Sequence, residues 1–141
     1  MVERAMKNKT FRRDHKPAIL LVDDNPINLQ TLFHTLDGKG FRLLVAKSGE
    51  EALHIARRAI PAVVLLDIMM PGIDGYETCK RLKADDLTKD ASIIFLTALH
   101  DTEAKVHGLS LGAMDFITKP FDPDEIIARV SRQLDVYRRQ Q

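Results

Sequence analysis

The chain has 141 residues, 45% hydrophobic and 29% charged, with a formal net charge of +1. That is the size and composition of one compact globular domain with a sizeable core. No apolar run approaches the roughly 18 residues of a membrane span, the N-terminus lacks the apolar core of a signal peptide, and the single cysteine, Cys79, excludes an internal disulfide. A reducing, cytoplasmic setting is the default expectation.

The charge is unevenly spread. Of 21 Lys and Arg and 20 Asp and Glu, residues 1–17 hold six and two, leaving 15 basic against 18 acidic side chains beyond them. This basic arm reads as a solvated tail, since nothing in it repeats or interleaves aromatics. The alternative is contact with nucleic acid or an acidic partner.

Short apolar runs then alternate with amphipathic stretches. Ala18–Val22 reads as a buried strand, followed by a helix over Pro26–Leu36 that closes at Asp37-Gly38 and Gly40. Phe41–Ala46 is the second strand. Ser48 and Glu51 form a capping box for a helix over Gly49–Arg58. Ala62–Leu66 is the third strand, with Asp67 and a Pro-Gly loop after it, then a helix over Tyr76–Ala84. Ser92–Thr97 is the fourth strand; Asp101 caps a helix reaching Leu111. Ala113–Thr118 is the fifth strand. Asp122-Pro123-Asp124-Glu125 then supplies a cap, a first-turn proline and first-turn acids for a final helix. Alternation without hairpins implies α/β architecture: a doubly wound parallel sheet with helices on both faces, and right-handed crossovers. All strand C-termini then share one edge, where such folds bind ligands.

The residues at the strand ends carry the chemistry. Asp23 and Asp24 come after the first strand and Asp67 after the third; Thr97 ends the fourth, and Lys119-Pro120 succeeds the fifth. With neighbouring strands about 4.8 Å apart, these groups converge on one mouth. Clustered carboxylates repel unless a cation compensates, and oxygen-only ligands point to Mg²⁺ or Mn²⁺ rather than zinc. The ammonium and hydroxyl opposite them suit an anionic group. Together these are the parts for phosphoryl transfer to an aspartate.

The stretches "LLVDDNP", "LLDIMMPGIDGYE", "IIFLTA" and "GAMDFITKPF" resemble, in order and spacing, the receiver domain of two-component response regulators. The likeness runs from residue 18 to about 135. It implies a flavodoxin-like sheet in the order 2-1-3-4-5. It also implies a phosphorylation-activated switch, fed by a partner histidine kinase or histidine phosphotransfer protein. By this resemblance Asp67 is the phospho-acceptor. Asp23 and Asp24 hold Mg²⁺ together with Asp67 and the main-chain carbonyl of Met69. Thr97 is the switch hydroxyl, Lys119 pairs with a phosphoryl oxygen, and Phe116 is the aromatic ring that moves on activation. Pro120 is expected to follow a cis peptide, which proline makes inexpensive. The resemblance also places Met69 and Leu99 beside the path of the hydrolytic water; Leu99 has no acceptor and the Met69 thioether is only a weak one, so a slow loss of the phosphoryl group is expected.

The expected layout is a basic arm over 1–17, a receiver over 18–134 and a helical extension over 135–141. A homodimer through the fourth helix, fifth strand and fifth helix is one further expectation; membrane contact and direct nucleic-acid binding by the receiver are not expected. In the last helix Ile127, Val130, Leu134, Tyr137 and Gln141 follow a 3-4-3-4 spacing. Core packing accounts for Ile127 and Val130, while the tail fits a signalling helix or dimer seam and a frayed end equally. Cys79 reads as a packed thiol. His15, His34, His54, His100 and His107 lack ligand spacing. A haloacid-dehalogenase-like phosphatase would need Asp-x-Asp after the first strand, where this chain has adjacent acids. A dinucleotide fold would need a glycine-rich turn where "DDNPIN" stands. A receiver kept only as an interaction module is opposed by the presence of every motif residue.

Overall fold

The computed structural model describes residues 16–98 and 101–139. Residues 1–15, Leu99, His100 and 140–141 lie outside the described residues, and with them most of the basic arm and the readings on His15, Leu99, His100 and Gln141.

Strands β1 (Ala18–Val22), β2 (Arg42–Ala46), β3 (Val63–Asp67), β4 (Ser92–Ala98) and β5 (Asp115–Lys119) pair in parallel in the order β2-β1-β3-β4-β5. Helices α1 (Pro26–Leu36), α2 (Gly49–Ala59), α3 (Gly75–Ala84), α4 (Thr102–Ser110) and α5 (Pro123–Arg139) are the crossovers and the closing helix. Because side chains alternate along a strand, each continuous apolar run feeds two cores. Leu20, Val22, Val64, Leu66, Ile93 and Phe95 face the core under α2, α3 and α4. Ile19, Leu21, Val63, Leu65, Ile94, Leu96 and Ile117 face the one under α1 and α5. Each fully buried leucine contributes about 1.5–3 kcal/mol relative to exposure.

Helix starts are fixed by side-chain caps. Asn25 Oδ1 accepts from the Ile27 N–H at 2.8 Å, Asp74 Oδ1 from Glu77 at 2.9 Å, and Asp101 Oδ1 from Ala104 at 3.0 Å. Ser48 Oγ accepts from the Glu51 N–H at 3.1 Å, and Glu51 reaches back to the Lys47 N–H at 2.6 Å, one residue ahead of the usual capping-box partner.

Several strand boundaries differ from the sequence expectation. β2 starts at Arg42, whose N–H bonds the Pro17 carbonyl, rather than at Phe41. β3 runs one residue later than expected because Asp67 is itself in the ladder, opposite Leu96. β5 begins at Asp115 because Ala113 closes α4, donating to the Gly108 carbonyl at 3.0 Å. In α5 the residue fully buried against the sheet is Ile126, with Ile127 half-buried beside it. Val130 and Leu134 are buried as expected and Ile127 and Tyr137 pack beside them; Ile126 is the addition to the stripe.

One backbone feature departs from propensity. Ile60, which ends α2, has φ 48° and ψ 65°, the left-handed region. A β-branched residue there costs about 1–3 kcal/mol. Proline comes next, which disfavours helical backbone further.

Candidate functional site

At the C-terminal edge of the sheet, β1, β3, β4 and β5 deliver their polar residues to one cavity of about 340 Å³. A carboxylate oxygen from each of Asp23, Asp24 and Asp67 lies within 4.8 Å of the other two. Asp23 is fully buried and Asp67 nearly so, whereas Asp24 is exposed. Lys119 Nζ lies 2.9 Å from Asp67 Oδ1 and 3.8 Å from Asp23 Oδ2. Thr97, opposite Thr118 in the β4–β5 ladder, lines the same cavity; its Oγ1 donates to the Ala98 carbonyl at 3.0 Å. Met69 is 78% exposed at the cavity rim. The Lys119–Pro120 bond is cis.

The electrostatics are unbalanced. Burial, opposed by the hydrogen bond from Lys119 and reinforced by the charges of Asp23 and Asp24, holds the Asp67 carboxyl above its ordinary value. Among the described residues lining the cavity, one ammonium serves these three carboxylates. An all-oxygen donor set this close, with one carboxyl already resisting ionisation, fits a hard divalent cation.

Asp23 is oriented by groups that the sequence motifs do not include. The Asn25 N–H donates to its Oδ1 at 2.9 Å and Asn28 Nδ2 to its Oδ2 at 3.1 Å. The spacing Asp23-x-Asn25-x-x-Asn28 is the available signal. Gly75 is a second such residue: its N–H donates to the Ile68 carbonyl at 2.7 Å. A Cβ there would fall 2.3 Å from the Asp67 carbonyl oxygen, so only glycine lets α3 press on the backbone of Asp67. Glu50 Oε2 accepts from the Ile73 N–H at 3.3 Å, tying α2 to the loop after β3.

Phe116 is half-buried and stacks on Phe95 with ring centroids 6.2 Å apart. Tyr76 meets Phe95 edge-on at 5.6 Å and His107 at 4.3 Å. A Cβ on Gly108 would clash with both phenylalanine rings, so α4 sits directly on this pair. Asp115, beside Phe116, accepts from Arg129 of α5 at 2.6 Å. Cys79 is buried, and burial pushes its thiol up to about 11. Among the described residues no helix is long and apolar enough to cross a membrane.

A doubly wound parallel sheet in the order β2-β1-β3-β4-β5, with an acidic pair after β1 and an aspartate ending β3, is a flavodoxin-like fold with its polar groups at the C-terminal edge. The model of the response regulator receiver domain matches residues 19–131, and the chain belongs to that family, which serves two-component systems. The DNA-binding response regulator MtrA of Mycolicibacterium smegmatis is 43% identical over 116 residues, 82% of this chain and 50% of that protein. Response regulator PleD of Caulobacter vibrioides is 40% identical over 112 residues, 79% of this chain and 25% of PleD. The chain thus spans half or less of these curated relatives. The crystal structure of chemotaxis response regulator CheY4 of Vibrio cholerae superposes with a TM-score of 0.79 at 31% identity, covering 84% of this chain and 99% of that one.

Proposed function

We propose that the chain is a phosphorylation-activated switch that accepts a phosphoryl group on Asp67 from a histidine of a partner kinase or phosphotransfer protein. The observation that carries this reading is the buried Asp67 carboxylate, 2.9 Å from the Lys119 ammonium, beside two further carboxylates at one cavity. An Asp67 carboxylate oxygen attacks phosphorus in line. The phosphorus–nitrogen bond breaks, and the leaving imidazole keeps its electron pair and takes a proton. Lys119 moves from the carboxylate to a phosphoryl oxygen, replacing one charge-assisted hydrogen bond by another. Thr97 exchanges the Ala98 carbonyl for the phosphoryl group, and Phe116 moves into the space it vacates.

Asp23, Asp24, Asp67 and the Met69 carbonyl would hold Mg²⁺, with Mn²⁺ as a substitute. The bound ion supplies positive charge against the phosphoryl oxygens. The switch catalyses its own phosphorylation from small donors and loses the group slowly; it is not a metabolic enzyme. The receiver is residues 18–134, between the basic stretch 1–17 and the segment 135–141, within a cytoplasmic regulator. Val106, Leu109 and Met114, exposed and apolar on and after α4, suit a homodimer through α4, β5 and α5.

The test is incubation with Mg²⁺ and acetyl phosphate. One acid-labile phosphoryl group per chain is expected, abolished by Asp67→Asn with the fold intact by circular dichroism. Stoichiometric labelling of the Asn variant defeats the assignment.

A further inference from the structure

At the opposite edge of the sheet, where β1 and β2 begin, the structure holds a second cavity of about 1080 Å³. Its walls include Phe41 and Arg42 entering β2, Ile60 after α2, Tyr137 and Arg138 in the last turns of α5, and Lys16. The cavity is far from the acidic mouth along the strands and shares no residue with it.

Three observations converge here. Lys16, Arg42 and Arg138 line the cavity, and no acidic side chain does among the described residues. The body of the cavity is apolar, with Phe41, Ile60 and the ring of Tyr137 facing it. Ile60, 41% exposed, holds a left-handed backbone that glycine would adopt without strain. Strain retained at an exposed side chain is accounted for when that side chain forms a wall.

These features select the ligand's chemistry. A neutral apolar molecule would desolvate the cations without pairing them, and a small inorganic anion would leave the apolar walls wet. The sequence before this wall, residues 1–15, carries five basic side chains against two acidic ones, the wrong sign of charge to pair these cations. The volume suits one organic molecule of drug size. We propose that this cavity binds a small organic anion: a carboxylate, phosphate or sulfonate on an aromatic or branched apolar body. The proposal does not depend on phosphorylation of Asp67.

The test uses the full chain without phosphodonor and two probes, 8-anilinonaphthalene-1-sulfonate and the uncharged N-phenyl-1-naphthylamine. The sulfonate should bind saturably at one site, at least tenfold tighter than the uncharged probe. Amide shifts should gather at Phe41, Ile60, Ala62 and Tyr137. Arg42→Glu should weaken binding about tenfold, and Arg42→Gln severalfold. Ile60→Gly should weaken it severalfold while the thermal midpoint holds or rises. Equal binding of both probes, shifts gathered instead at Val106, Leu109 and Met114, or affinity unchanged in the Arg42 and Ile60 variants would each overturn the proposal. Self-association that buries these residues and excludes the sulfonate would do the same.

Discussion

The two ends of this sheet solve opposite packing problems. At the C-terminal edge, three carboxylates share one ammonium, and backbone is pressed so close that Gly75 leaves no room for a Cβ against Asp67. At the N-terminal edge, the strands open onto a roomy cavity lined by cations, and Gly40 in the turn before β2 has nothing within 4 Å of where a Cβ would sit. The first end is crowded and held under charge repulsion, the second loose and permissive. Precision in positioning is concentrated where Asp67 must be aimed.

The largest effect that should separate the ends comes from adding one methyl group to each. Gly75→Ala forces backbone apart beside Asp67 and should cost about 3 kcal/mol or more. Gly40→Ala, at φ 95° in open space, should cost only about 1–2 kcal/mol. Urea unfolding of both variants checks this, and equal costs would erase the distinction.

Next in size is the persistence of the phosphoryl group at the crowded end. Met69→Asn with Leu99→Glu supplies two groups able to orient water, worth roughly ten- to a hundredfold in hydrolysis rate. Decay of the phosphorylated protein after donor removal measures it. A wild-type half-life of seconds, or no acceleration in the double variant, would show that these positions do not set the clock.

A smaller effect comes from relieving the repulsion. Asp24→Asn should raise the metal-free thermal midpoint by roughly 2–4 °C while weakening Mg²⁺ binding. A lower midpoint in chelator would contradict the charge-repulsion account of this end.

An effect confined to high pH lies between the two ends, at Cys79. Burial pushes its thiol up to about 11, against about 8.5 in an unfolded chain. Between those values the native state retains a proton that the unfolded state has lost, so stability falls as pH rises across that window. Below pH 8 Cys79 contributes no pH dependence. Urea midpoints at pH 7.5 and 10, for the chain and for Cys79→Ala, measure the difference in slope.

The crowded end is far more legible in the sequence than the loose one. Asp23, Asp24, Asp67, Thr97 and Lys119 each stand at a strand's C-terminal end, so parallel topology puts them on one edge, and the strand order implied by the family resemblance makes them neighbours. The Asn25 and Asn28 bonds to Asp23, and the pressure of Gly75 on Asp67, depend on three-dimensional contact and leave only faint spacing. The cavity at the other end has no such signal: Phe41, Ile60 and Tyr137 belong to three distant segments with no shared motif. Ile60 even opposes its local signal, because an isoleucine before proline reads as extended. The buried stripe of the last helix keeps the expected Val130 and Leu134 and adds Ile126, since Ile126 and Ile127 are adjacent and periodicity alone does not choose between them.

The strand order has a consequence for the chain while it is being made. β1 lies between β2 and β3, and about 40 residues separate its end from the start of β3. At ribosomal speeds of roughly 5–20 residues per second, β1 waits roughly 2–8 s for its second neighbour. Once β2 is made within that interval, the β1–α1–β2 unit presents an unpaired edge of "AILLV", a short, uncharged, β-prone segment of the type that pairs with other chains. Protection of the nascent chain in those seconds falls to α1, whose Leu29, Leu32 and Leu36 cover one face of β1, and to whatever shelters the other.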